Sequence, residues 1–298
     1  MLQFASLVID SVLYGAWLFV IAVGLTLIYG VMKILNVAHG SLYALGAYTT
    51  ASFVGFWIGN GYPPIGSLGA LALAALAVGV IGGVLIERGL LRFMYGKDET
   101  VLMLATYALF LILEDVIKLA WGVESYFVPD PVSVLGNVEF GDMIYPTYNF
   151  LILLVAVIAG GLIAWALRYT RNGRLLLAVI HDTEMSTAMG INIYRFYTVT
   201  FTAGAVLAAL GGAITAPTLS VVPGLGVEVI VLAFAVVVTG GLGSMLGAAI
   251  GALVIGFVRS LAVYYLPQME LFSIYLVMAA VLIFWPKGLI SSFEARKI

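Results

Sequence analysis

The 298-residue chain is 63% hydrophobic and 9% charged, with a mean hydropathy of +1.15 and a net charge of −2. Soluble domains carry roughly a quarter charged residues, so this composition excludes an ordinary soluble protein and predicts one that crosses a membrane several times. The chain has no cysteine and two histidines, which excludes disulfides and thiolate chemistry and argues against a metal site.

Nine apolar segments follow one another along the chain, each close to the roughly 20 residues that a helix needs to cross a bilayer. They lie at residues 11–32, 38–58, 65–86, 100–120, 148–167, 196–217, 226–243, 244–264 and 270–286. The run 34–86 has no charged residue and is too long for one crossing, so it must turn back. Segments this long and apolar lack the alternation of outer-membrane strands, and we predict an all-α polytopic membrane protein.

Basic residues predict the orientation, because Lys and Arg accumulate in cytoplasmic loops. Ten of the 13 cluster in three places: Arg88, Arg92 and Lys97; Arg168, Arg171, Arg174 and Arg195; Lys287, Arg296 and Lys297. The connection at 121–147 has no basic residue and is expected outside; its acidic residues are Glu124, Asp130, Glu139 and Asp142. Counting crossings from these loops puts the N-terminus outside and the C-terminus in the cytoplasm with nine crossings, or eight if a glycine-broken segment re-enters.

Two glycine-rich stretches are expected to break helices, the first being YGVMKILNVAHGSLYALGAY at 29–48. It places Asn36, His39, Gly40 and Ser41 beside a membrane segment. Transporters use interrupted helices to line a cavity, and polar groups inside a membrane are functional hypotheses by default. We predict that these four residues shape a translocation path. The alternative for His39 is a helix-end histidine whose ring is satisfied by a backbone carbonyl.

The second stretch, GGLGSMLGAAIGALVIG at 240–256, repeats glycine at every fourth position from Gly243. Glycines at this spacing share one helical face and admit close approach of another backbone. We add Gly243 and the adjacent Ser244 to the predicted path. An intramembrane protease that pairs Ser244 with His39 is a further alternative, although no other sequence feature supports it.

A polar loop at 168–195 separates two predicted spans and is too long for a simple turn. Asp182 predicts an N-cap, Glu184 an acidic first turn and Gly190 a left-handed stop, which together indicate a short helix. Its apolar face holds Met185, Ala188 and Met189 at i, i+3 and i+4 spacing. Acidic residues would be repelled by anionic headgroups, which favours docking into a partner protein. An amphipathic helix resting on the membrane surface is the alternative.

One charged pair is also predicted within a span. Glu114 and Lys118 are spaced i, i+4 near the outer end of the fourth apolar segment. Opposite charges at this spacing meet on a helix surface, so we expect an exposed, stabilising ion pair.

Three ordered blocks carry a resemblance to a known family. The run LLLAVIHDTEMSTAMGINIYRFYTVTFTAGAVLAALGGAITAP at 175–217 resembles the cytoplasmic loop and following span of permeases of branched-chain amino acid ABC importers, of the leucine/isoleucine/valine type. The stretch GLTLIYGVMKILNVAHGSLYALGAY at 24–48 resembles the first signature of that family, and 240–256 resembles its C-terminal glycine-rich signature. The likeness therefore extends over most of the chain.

The resemblance implies an ABC importer permease fold, with residues 1–298 as one transmembrane permease domain in the inner membrane. The implied partners are a second related permease, two cytoplasmic ATP-binding subunits, an extracytoplasmic solute-binding protein and membrane lipid, with no nucleic acid. The loop helix, from Asp182 to Asn192, would be the coupling helix. The chain lacks the G-x-x-x-x-G-K-[ST] phosphate loop, so we expect no enzyme activity and no bound cofactor, with ATP hydrolysed by partner subunits.

A secondary transporter or channel for a small solute is the alternative function. It would use the same broken helices and polar path. Proton or sodium coupling usually leaves buried carboxylates in the spans, and the apolar segments of this sequence hold almost none.

Overall fold

A computed structural model describes residues 2–141 and 143–290 of the chain, and this part is predominantly helical. Its α-helices are α1 Leu2–Met32, α2 His39–Gly59, α3 Ser67–Gly89, α4 Glu99–Trp121, α5 Asp130–Leu135, α6 Thr147–Tyr169, α7 Arg171–His181, α8 Thr183–Ala188, α9 Ile193–Thr215, α10 Leu225–Gly240, α11 Met245–Tyr265 and α12 Glu270–Phe284. Two strands, β1 Asn137–Phe140 and β2 Met143–Pro146, form an antiparallel hairpin in which Asn137 pairs with Pro146. Asp142, Arg296 and Lys297, used above to predict orientation, lie outside the described residues.

Each predicted apolar segment coincides with a helix. Within the described residues, seven helices are long and apolar enough to cross a membrane, namely α1, α3, α4, α6, α9, α11 and α12. Helix α10 is apolar but has 16 residues, and α2 has 21 residues that include a histidine, serines, threonines and tyrosines. The predicted all-α polytopic class is confirmed, whereas the number of crossings, eight or nine, stays a prediction.

Helix α1 lies at the centre of the packing. Its most apolar part is 72% buried, against 17% for α6 and 11% for α12. It packs against α6, α9, α10 and α11. Lipid tails are as apolar as leucine, so close fit of side chains and backbones, and not transfer from water, holds such helices together. Polar groups near α1 are therefore shielded from lipid, while α6 and α12 present most of their surface outward.

The two ends of the helix bundle differ in charge. At one end, the α3–α4 turn packs against the start of α9, close to α7 and α8. We call this the basic end, since the turn and its flanks carry Arg88, Arg92 and Lys97. At the opposite end, residues 122–146 hold the hairpin, and Tyr126 pairs with Val221 through two backbone hydrogen bonds of 3.0 and 2.8 Å. We call this the acidic end.

The predicted Glu114–Lys118 pair is wrong. Glu114 is 7% exposed, and Lys118 pairs instead with Asp115, its Nζ lying 3.2 Å from Oδ1. The i, i+4 spacing is compatible with a pair, but it does not say which face of a helix is buried. Glu114 belongs to the stripe of α4 that packs inward, with Leu102, Thr106, Phe110 and Ile117. Tertiary packing therefore gave Lys118 a different partner.

Candidate functional site

The chain is broken between α1 and α2, within the stretch predicted to be irregular. Residues 33–36 have no regular structure, a turn follows, and α2 begins at His39. Lys33 has a φ of 56°, the one positive φ of a non-glycine residue in the described part of the chain. The break brings Asn36, His39 and Ser41 together at 0% exposure each. The four predicted residues around Gly40 thus form a buried polar group inside the bundle.

The His39 ring bonds back to α1. Its Nε2 lies 3.0 Å from the carbonyl oxygen of Ile21, and because a carbonyl only accepts, Nε2 is the donor. Its Nδ1 has no hydrogen-bond partner among the described residues, nor do Oδ1 and Nδ2 of Asn36. Buried polar atoms without partners are costly, and such atoms at a site mark a place where a ligand, water or rearrangement completes the bonding. His39 has the carbonyl partner of a helix-end histidine, and its path role stays a prediction.

A threonine that sequence inspection missed holds the break in place. The backbone N–H of Val37 donates to Thr106 Oγ1 over 3.2 Å, and Thr106 Oγ1 lies 3.2 Å from the Leu35 carbonyl and 2.9 Å from that of Met103. Ser41 Oγ donates to the carbonyl oxygen of Phe110 over 3.2 Å. Helix α4 therefore supplies the polar contacts that the non-helical residues lack. In the sequence, the one sign of this role is that Thr106 is a polar residue inside an apolar span.

The start of α2 meets the start of α10 at this group. Gly40 packs directly on the backbone of Gly226, and a side chain at Gly40 would collide with the Gly226 carbonyl. The Oε1 atom of Glu114 lies beside Gly226 and has no partner in the described structure. The N-terminus of α10 carries partial positive charge, which favours an acidic side chain beside Gly226. Broken or short helices whose starts meet inside a membrane are the arrangement found at transporter binding sites.

Gly243 and Ser244 lie elsewhere, in the turn between α10 and α11. Gly243 packs on Gly30, and Ser244 caps α11 by accepting a 3.0 Å hydrogen bond from the Gly247 N–H. Along α1, His39 contacts Ile21 and Gly24, whereas Gly243 contacts Gly30, which lies about 9–13 Å farther along the helix. The structure therefore does not bring the two predicted path regions together. Among the described residues no serine hydroxyl bonds to His39, so nothing supports a protease dyad.

The predicted short helix of the polar loop is present as α8. Oδ1 of Asp182 accepts the Met185 N–H over 2.8 Å, which is the expected N-cap. At the other end Gly190 has a φ of +81°, its N–H donates to Thr187 O over 2.9 Å, and the Ile191 N–H donates to Ser186 O over 3.0 Å. This pair of bonds is the Schellman motif, which needs a left-handed residue such as glycine. Helix α8 is thus fixed at both ends.

The apolar face of α8 is exposed. Met185 is 59% and Met189 76% exposed, while the neighbouring Ser186 is 3% exposed. Glu184 and Ala188 are also exposed, and Asn192 caps α9 by accepting the Arg195 N–H over 3.2 Å. The coupling residues predicted from sequence therefore form one protruding knob, which we call the methionine knob, between helices α7 and α9.

A buried carboxylate that sequence inspection passed over ties the start of α9 to the α3–α4 turn. Glu87 is 0% exposed; the Tyr95 hydroxyl donates to its Oε1 over 2.7 Å and the Thr198 hydroxyl to its Oε2 over 2.6 Å. Burial raises the pKa of Tyr95, and the Glu87 acceptor raises it further. The Tyr95 ring also packs edge-on against Tyr197, with centroids 5.0 Å apart. In sequence Glu87 only looked like the end of a span beside Arg88.

Comparison with known proteins agrees with this architecture. A family model described as branched-chain amino acid transport system / permease component matches residues 7–285. The high-affinity branched-chain amino acid transport system permease protein LivH of Escherichia coli (strain K12) is 27% identical over 308 residues, covering 100% of this chain and 98% of that protein. BraD of Pseudomonas aeruginosa, described in the same words, is 26% identical over 301 residues, covering 97% and 96%. The ribose import permease protein RbsC of Escherichia coli (strain K12) is 29% identical over 259 residues, covering 81% and 73%. The chain therefore belongs to the family of permease components of branched-chain amino acid transport systems.

Proposed function

We propose that this chain is the permease subunit of an ATP-driven importer for branched-chain or related amino acids. Family membership and the near-complete coverage of LivH and BraD support the solute class. The match to a ribose import permease is less extensive, and ribose is the solute to test as the alternative. The chain works beside a second related permease, two ATP-binding subunits that bind and hydrolyse ATP, and an extracytoplasmic solute-binding protein.

In this proposal the basic end faces the cytoplasm and the acidic end faces the solute-binding protein. Lys and Arg accumulate on the cytoplasmic side of membrane proteins, which supports this orientation and a cytoplasmic C-terminus. The whole chain acts as one permease domain in the inner membrane. The methionine knob then lies where a cytoplasmic ATPase can reach it.

The observation that carries the proposal is the methionine knob itself. Met185 on α8 and Met189 directly after it form an exposed apolar pair on a helix that is capped at both ends. Methionine adapts its shape to the groove of a partner, and large apolar side chains filling pockets dominate binding energy. The Glu87 contacts join the start of α9, just after the knob, to α3. Motion of a docked ATPase would therefore be transmitted to α3 and α9, both of which pack on α2.

The solute path runs past the junction of α2 and α10. Asn36 and His39 hold polar atoms without partners there, which a polar solute can bond when Gly40 and Gly226 separate. Ser41 keeps α2 attached to α4 during that movement. Gly243 and Ser244, at the basic end, form the turn that shapes the cytoplasmic exit.

The test replaces both knob methionines with glutamate, Met185→Glu and Met189→Glu. Both side chains are exposed, so the chain should insert and fold normally, while docking of an apolar groove is lost. In proteoliposomes of the full importer, solute uptake and solute-stimulated ATP hydrolysis should each fall about tenfold or more. The matched control is Thr187→Glu, an exposed residue on the other side of α8.

Two results would overturn the proposal. Unchanged uptake in the double variant would show that the knob does not couple ATP hydrolysis to transport. Solute uptake by the purified chain alone, driven by a proton or sodium gradient, would instead identify a secondary transporter, for which buried Glu114 is the residue to examine first.

A further inference from the structure

A long groove runs along the outside of the bundle from the basic end. Its first part, with a volume of ≈ 860 Å³, lies between α6 and α9 and is closed at the basic end by α7 and residues 189–192. The second part, of ≈ 520 Å³, continues between α3, α6 and α9 toward the middle of the spans. Leu162 and Val199 line both parts and are 58% and 61% exposed. The groove is therefore continuous and open to the surroundings of the bundle.

The two parts differ in chemistry. Arg171 and Arg195 line the first part, and no Asp or Glu is among the residues that line it. Neither arginine forms an ion pair within the part of the chain that the structure describes. Both lie in the first turn of a helix, α7 and α9, where a cation adds to the positive end of the dipole and no acidic residue offsets it. The mouth of the groove is thus positive, and the second part is lined mainly by apolar side chains.

A positive mouth at the end of the spans, followed by an apolar channel along the exposed surface of α6 and α9, matches one class of ligand. Basic pockets between transmembrane helices bind anionic lipid headgroups, and arginine forks fit phosphate oxygens. We propose that this groove binds an anionic phospholipid, with its phosphate at Arg171 and Arg195 and an acyl chain between α6 and α9. The inference rests on the membrane-spanning fold and is independent of the proposed solute and partners.

The position of the site gives it a consequence for the methionine knob. Met189, Gly190, Ile191 and Asn192 form part of the groove wall, directly after α8. A phospholipid in the groove would fill the space between this segment and α6. We therefore expect bound anionic lipid to hold the end of α8 in place and to stabilise the loop against proteolysis.

The test measures lipid retention by the purified full-length chain with native mass spectrometry in detergent. The probes are phosphatidylglycerol, zwitterionic phosphatidylcholine and inorganic phosphate. The wild-type chain should retain phosphatidylglycerol in preference to the other two. The variant Arg171→Gln, Arg195→Gln should bind it about thirtyfold more weakly, the expected sum for two arginines at an anionic headgroup. The control Arg168→Gln, Arg174→Gln removes two arginines of the same loop that do not line the groove.

A second pair of variants tests the acyl-chain part. Leu162→Trp narrows the groove at an exposed position and should lower phosphatidylglycerol retention, whereas Leu154→Trp, at an exposed position of the same helix outside the groove, should not. Equal retention by the arginine variant and its control would overturn the proposal. So would binding of inorganic phosphate as tight as that of the lipid, or loss of ATPase-subunit binding in the arginine variant with lipid retention unchanged, since the arginines would then serve a partner protein.

Discussion

At the scale of single residues, this chain keeps a few polar side chains in an otherwise apolar interior. A buried polar group without a partner costs free energy of folding, so whether each one is paired bears on its role. Glu87 has a hydroxyl donor on each oxygen, while the side-chain amide of Asn36 and Nδ1 of His39 have no partner in the described structure. This contrast separates two roles. Glu87 is suited to stabilising the fold, whereas the unsatisfied atoms at the α1–α2 break are the ones that the proposed function assigns to the solute path.

The role assigned to Glu87 is tested by Glu87→Ala. The substitution leaves the partly buried Tyr95 hydroxyl without its acceptor, so the free energy of unfolding should fall by roughly 1–3 kcal/mol. Thermal unfolding in detergent measures the change, and Glu124→Ala, at an exposed loop residue, is the control. Adding Tyr95→Phe to Glu87→Ala should recover part of the lost stability, since it removes the hydroxyl that no longer has an acceptor. Equal melting temperatures for Glu87→Ala and the control would mean that the carboxylate does not hold the turn to α9.

At the scale of elements, short or interrupted helices create the candidate site. A continuous helix through residues 29–48 would satisfy every backbone group internally and leave nothing for a ligand. The break after Met32 instead leaves backbone groups that Thr106 must bond, and it allows α2 to begin against the backbone of α10. Glycine at both starts makes this contact possible, because neither adds a side chain between the two backbones.

The contact between α2 and α10 is tested by Gly40→Ala. The new Cβ would collide with the Gly226 carbonyl and lie 2.9 Å from Cβ of Ile230, so the helices must separate. We expect a loss of roughly 1–3 kcal/mol, the usual cost of overpacking a core. Gly55→Ala in the same helix meets no atom within 4 Å and is the matched control. Thermal unfolding distinguishes them, and a Gly40→Ala variant as stable as Gly55→Ala would disprove close packing at this point.

At the scale of the whole molecule, charge separates the two ends of the bundle. The basic end carries the arginines of the α3–α4 turn and the loop with α7 and α8, and the acidic end carries the hairpin. The orientation of a membrane protein follows the distribution of Lys and Arg in its short loops, which are enriched in these residues on the cytoplasmic side. This asymmetry therefore predicts the orientation of the whole chain. In the proposed orientation, with the basic end in the cytoplasm, the methionine knob and the arginines of the groove both lie at the cytoplasmic surface.

Orientation is measured by cysteine labelling, for which the absence of native cysteine leaves no background. The reagent is an impermeant maleimide, applied to cells whose inner membrane is intact and whose outer membrane, if there is one, has been removed. It should label Glu124→Cys, whereas Lys97→Cys should react only after the inner membrane is permeabilised. Gln3→Cys decides the number of crossings, because it is outside for nine and inside for eight. Labelling of Lys97→Cys before permeabilisation would show that the orientation is the opposite one. The methionine knob would then be out of reach of a cytoplasmic ATPase.

The linear sequence was enough to predict the class of fold and the position of the loop helix. Hydrophobic segments long enough to span a bilayer are specified by composition alone, and each of them is a helix in the structure. Helix α8 was equally predictable, because capping depends on neighbours within a few residues: Asp182 and Gly190 make their bonds locally. The residues of the α1–α2 break were found because polar groups next to glycine stand out in an apolar run.

Only the tertiary structure decided which polar groups meet. Nothing in the sequence links Glu87 to Thr198, 111 positions away, or Val37 to Thr106, 69 positions away. The same applies to Glu114. It lies on the buried side of α4, and its expected partner Lys118 pairs with Asp115 instead. The physical reason is range: hydropathy and helix capping depend on local chemistry, whereas hydrogen bonds across a bundle depend on which helix faces become neighbours, and that is determined by the packing of all the helices together.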